Sequence, residues 1–140
     1  MRRKTISIIL LLAISLSFLP ATFAQGKVAV VCNMIDNEMN PGFVSSLRKA
    51  NLTVDFFGVK DTGYAVYDYI IVLGGPDAEE HTGDLSKRIL RESDQNALRN
   101  GNHKLFYETA DVFKMKQKVY VLAGSDRDLT KMAVDQYTSQ

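Results

Sequence analysis

The sequence predicts a small three-layer α/β domain: a mostly parallel sheet of four to six strands with helices on both faces, Rossmann- or flavodoxin-like in layout. Three observations predict it. The runs Lys27–Asn33, Tyr69–Pro76 and Lys118–Ser125 are apolar at nearly every position, and each ends in small or polar turn residues. Continuous rather than alternating apolarity suits strands covered on both faces, the environment of a parallel sheet. A helical pattern follows each run, which gives the crossovers that parallel strands need.

Taken in order, the first run is followed by Asn40-Pro41, predicted as N-cap and first residue of a helix with Phe43, Val44, Leu47 and Ala50 on one face and Asn51 as its stop. Thr53–Phe57 alternates and is expected at an edge. Residues 84 to 98 read as a helix with Leu85, Ile89 and Leu90 inward, broken near Ser93, which would cap a second piece carrying Ala97 and Leu98. Gly101 and Asn102 make the next turn. Leu105–Thr109 and Val112-Phe113 read as short strands forming a ribbon. A last helix starts after Gly124, with Ser125 and Asp128 approximating a capping box and Leu129, Met132, Ala133 and Tyr137 facing the core.

The N-terminus reads as an export signal. Arg2, Arg3 and Lys4 precede the apolar stretch Ile6–Leu19, and Pro20-Ala21-Thr22-Phe23-Ala24 offers small residues for cleavage after Ala24. That stretch is 14 residues long, whereas a membrane span needs roughly 20. The expectation is a signal peptide over 1–24 and a single extracellular domain over 25–140, secreted or at the cell surface, touching a membrane only if the signal is uncleaved. Removing three basic residues from 17 leaves 14 against 16 acidic ones, so the mature chain lacks the basic footprint of a nucleic-acid binder. Asn51-Leu52-Thr53 is a glycosylation acceptor on an exported chain.

In an open parallel sheet, ligands sit beyond the carboxyl ends of the strands. Candidate binding residues are therefore Asn33 and Asp36 after the first run, Gly74, Gly75 and Asp77 after the second, and Ser125, Asp126 and Arg127 after the third. Asp36, Glu38, Asp77 and Asp126 could supply hard oxygen ligands to a divalent cation, but no EF-hand spacing is present and aspartates in such loops are more often turn or capping residues. No metal site and no cofactor is expected. Gly74-Gly75 matches neither the P-loop nor the G-x-G-x-x-G pattern, so these read as turn glycines. Cys32, the sole cysteine, ends an apolar run and is expected to be buried; His81 and His103 are the only histidines that could act as its base. Tyr69–Pro76 superficially resembles the strand-Gly-Gly-Pro segment of glutamine-amidotransferase-like domains, but no nucleophile elbow is present.

The run Asp68–Asp77, the segment around Asp94-Gln95 and Leu98-Arg99, and the closing stretch Val119–Ala133 with its Ala-Gly-Ser-Asp-Arg turn resemble a domain of archaeal S-layer proteins and their secreted relatives. The likeness covers roughly residues 66 to 136. It places Gly74, Gly75, Pro76, Gly124, Ser125, Asp126 and Arg127 at the family's motif positions; physically these read first as turn-makers and helix caps, with Asp126 and Arg127 as candidates to pair across the loops. It implies a non-catalytic extracellular or cell-envelope-associated module with a binding or structural role, its partner a cell-envelope protein or glycan. The alternative from the residues is a small secreted hydrolase using the polar loops. S-layer subunits are long, so a stand-alone module is expected rather than a lattice subunit.

Overall fold

A computed structural model describes residues 27–50, 52–58 and 63–139. The expected signal segment and Asn51 lie outside the described residues. Five strands, β1 (Lys27–Cys32), β2 (Thr53–Phe57), β3 (Tyr69–Leu73), β4 (Lys104–Ala110) and β5 (Lys118–Gly124), form one sheet in the order β2-β1-β3-β5-β4. The helices are α1 (Met34–Met39), α2 (Phe43–Lys49), α3 (His81–Ile89), α4 (Glu92–Arg99) and α5 (Arg127–Thr138), with a 3-10 turn at Gly63–Val66. β1, β2, β3 and β5 run parallel, and β4 is antiparallel to β5. The three apolar runs are thus the three central, adjacent, parallel strands.

Their uninterrupted apolarity has a simple cause: alternate side chains enter two different cores. Val28, Val30, Cys32, Ile71, Leu73 and Leu122 meet Phe43 and Leu47 of α2 and Val134 of α5. Ala29, Val31, Ile70, Val72, Val119 and Val121 meet Leu85 and Ile89 of α3 and Leu98 of α4 on the opposite face. At roughly 1.5–3 kcal/mol for each fully buried aliphatic side chain, these two layers drive the fold. No helix among the described residues is long and apolar enough to cross a membrane.

Several local expectations are corrected. Asn40 caps the C-terminus of α1, a short helix absent from the sequence reading, and its Nδ2 donates to the Asp36 carbonyl. Pro41 and Gly42 then form a turn, and α2 begins at Phe43. Ala50 is exposed. The middle helix starts at His81 and breaks at Leu90-Arg91, not at Ser93, because the backbone of both residues turns extended. Val112 and Phe113 are bends: Gln117 is fully buried, accepts from Phe113 N at 3.1 Å and so curls the β4–β5 connection inward. β4 itself is the antiparallel partner of β5, as an edge strand. Met132 is half exposed, and Val134 takes the core position assigned to it.

Candidate functional site

The strand order reverses between β1 and β3, so the connections leaving these strands diverge and open a crevice at their carboxyl ends. There the structure holds a cleft of about 510 Å³, and all eight candidate residues line it: Asn33, Asp36, Gly74, Gly75, Asp77, Ser125, Asp126 and Arg127. Three segments far apart in sequence meet because β1, β3 and β5 end in register side by side. Glu38, considered as a cation ligand, does not line it.

On the β1 side, Asn33 caps α1 by accepting from Asp36 N at 2.7 Å. This turn tucks Asp36 against the sheet edge, where it is 4% exposed. Burial raises its carboxyl above the ordinary value of 3.8; the Asn33 side chain and the positive charge of Arg127 oppose the rise, and Glu79 adds to it. Cys32 lies just before this turn, sealed at 1% exposure. Burial, reinforced by Asp36, pushes its thiol up to about 12, so it is not a nucleophile at neutral pH.

On the β3 side, Gly74 has a φ of 127°, and a Cβ there would stand 3.0 Å from Ala78 Cβ and 3.2 Å from Asp36 Oδ2. Glycine is needed twice over, for its backbone and for the room it leaves Asp36. Its carbonyl accepts from Ser86 Oγ at 2.7 Å and its N–H donates to Leu122 O at 2.9 Å, which fixes the turn to α3 and β5. Asp77 faces Arg99 at the end of α4: Nε donates to both carboxylate oxygens at 3.0 and 3.2 Å, and Nη2 to Oδ1 at 3.1 Å.

On the β5 side, Gly124 packs directly on the first turn of α5: a Cβ would fall 2.3 Å from Leu129 C and Thr130 N. Asp126, not Ser125, is the N-cap of α5, accepting from Leu129 N at 2.8 Å. Ser125 Oγ instead accepts from His103 N and donates to His103 O, tying the loop before β4 to the cleft. The expected pairing of Asp126 with Arg127 is absent, because Asp126 is held by its own helix; Arg127 Nη2 reaches Glu79 Oε1 at 3.0 Å across the cleft mouth.

Ala78, Glu79, Leu98, Arg99, Asp128 and Thr130 line the cleft as well, none of them a candidate from the sequence. Arg99 could not be placed without knowing that α4 ends beside Asp77. The lining carries five carboxylates (Asp36, Asp77, Glu79, Asp126, Asp128) against Arg99 and Arg127. Both arginines are engaged by Asp77 and Glu79, so the cleft keeps an acidic excess and many backbone groups. His81 lies outside this lining, with Nε2 2.5 Å from the Tyr64 hydroxyl, and His103 meets Ser125 only through its backbone. Among the described residues, no set of three or more His, Cys, Asp or Glu side chains is placed to hold a metal ion. The arrangement suits a polar ligand that donates hydrogen bonds to carboxylates. No protein-family model, curated protein or solved structure matches the chain.

Proposed function

We propose that this chain is an exported, non-catalytic binding module of the cell surface, related to S-layer domains, and that its cleft takes a polar segment of a cell-envelope protein or glycan. One observation carries the reading: three loops remote in sequence converge on a single cleft at the strand-order reversal, lined by fixed turns and excess carboxylates. Within it no side chain is set up as an activated nucleophile, since Cys32 is sealed and Ser125 is engaged with backbone.

Retention of the purified chain on cell-envelope fractions tests the proposal. Arg127→Glu and Asp77→Lys, both at exposed positions, should each abolish retention while leaving circular dichroism unchanged. Undiminished retention by both variants would remove the cleft from the binding function. Export is tested separately by N-terminal sequencing of the chain from the culture medium, where the expected first residue is Gln25.

A second reading, a small secreted hydrolase, is favoured by one feature. Asp36 lines the cleft with its carboxyl raised, the condition a general acid requires. Turnover of an envelope polymer that Asp36→Asn abolishes without loss of binding would establish that reading over the first.

A further inference from the structure

The antiparallel strand β4 closes one edge of the sheet, and among the described residues nothing pairs with its outer side. The hydrogen bonds at its two ends show which residues face inward. Ser125 N donates to His103 O at 2.8 Å, and Asp111 N donates to Gln117 O at 2.9 Å. Bonding alternates along an antiparallel ladder, so Leu105, Tyr107 and Thr109 bond to β5 with them. Lys104, Phe106 and Glu108 therefore turn their N–H and C=O groups outward. The same three side chains are exposed, and Phe106 is 46% so while stacked on Tyr137 at 5.6 Å.

We infer that β4 is a self-association edge, through which two copies of this chain pair antiparallel about Phe106 and join their sheets into one. In that register Phe106 lies opposite its own copy, and Lys104 of each chain lies opposite Glu108 of the other on both sides of the aromatic pair. The outward backbone groups of all three residues then meet as hydrogen-bonded pairs. Moving the centre to Lys104 or Glu108 sets like charges opposite each other, and moving it to Leu105 or Tyr107 leaves both charges of each strand opposite uncharged residues. The charges thus specify both the partner and the register. Within its own chain Glu108 Oε1 lies 3.9 Å from Lys118 Nζ, a half-exposed pair at the limit of ion-pair distance that still lets the carboxylate meet a second cation; β2, the opposite edge, has no self-complementary pattern, since Asp55 is its one charged residue. This inference is independent of what the cleft binds.

Sedimentation equilibrium on the purified chain, its charge variants and their mixture tests it. The native chain should be a dimer. Lys104→Glu and Glu108→Lys should each weaken it about tenfold or more, because both cross-strand pairs become like-charged. Mixing these two variants restores opposite charges at both positions and should give a heterodimer of native affinity, an outcome that misfolding cannot produce. A monomeric native chain, variants that dimerise as the native chain does, or a mixture that stays monomeric would each overturn the inference.

Discussion

The two ends of the sheet treat buried polar groups differently. At the amino end, Gln117 has no exposed surface and every polar atom of its side chain is used: Nε2 donates to the carbonyls of Ala65 and Tyr67 at 3.0 and 2.8 Å, and Oε1 accepts from Phe113 N. It ties the 3-10 turn before β3 to the connection before β5. At the carboxyl end the backbone is equally tight, with Gly74 and Gly124 in contact with the turns that follow, yet the charged side chains border open space. The lesson is that precision at the cleft comes from its main chain, while its exposed ion pairs, Asp77 with Arg99 and Glu79 with Arg127, lie at the mouth, where a ligand can exchange for either partner.

Four measurements test this contrast. The largest effect is expected at Gly124→Ala, which forces a Cβ into the backbone of α5 and should cost about 4 kcal/mol or more in urea unfolding. A cost under about 1 kcal/mol would mean that the cleft's main chain is not rigid. Gln117→Leu should cost about 3 kcal/mol, since two buried carbonyls and one N–H lose their partner together.

Asp36 should behave in the opposite sense. Its folded carboxyl is raised above 3.8, so the folded state holds the proton more tightly than the unfolded chain. That contribution to stability is full below the unfolded value and is lost as pH rises through the raised folded value. Asp36→Asn should flatten this fall and leave stability at pH 7 within about 1 kcal/mol of native; an unfolding profile in which the variant keeps the native slope would exclude the assignment. The smallest effect belongs to Asp77→Ala, whose pair with Arg99 is mostly exposed and should contribute about 0.5 kcal/mol or less.

What the sequence revealed divides along the same line. Strands buried on both faces announce themselves by unbroken apolarity, and Val28–Cys32, Tyr69–Leu73 and Val119–Ala123 were legible for that reason. Their common direction and adjacency then placed all eight candidate residues at one edge, since turns after parallel neighbours must lie together. Short helices were not legible. Asn40-Pro41 carries a strong start signal, but the competing Asn33 cap four residues before Asn37 begins a helix earlier and turns Asn40 into its end. Ser125 likewise looks like a cap until the neighbouring loop claims its hydroxyl through His103. Arg99 and Glu79 became lining residues through tertiary proximity alone, which no local pattern encodes.

The connectivity of the sheet also sets an order of assembly. β4 and β5 are consecutive and antiparallel, so their pairing closes only a short loop through residues 111–117. The β1–β3 pairing instead brings Val28 to Tyr69, and it must immobilise a long intervening segment before any contact rewards it. The hairpin should gain hydrogen-exchange protection first during refolding, and the two long-range pairings, Val28 with Tyr69 and Tyr69 with Lys118, should form last, so the cleft that β1, β3 and β5 bound together is the final feature the chain acquires.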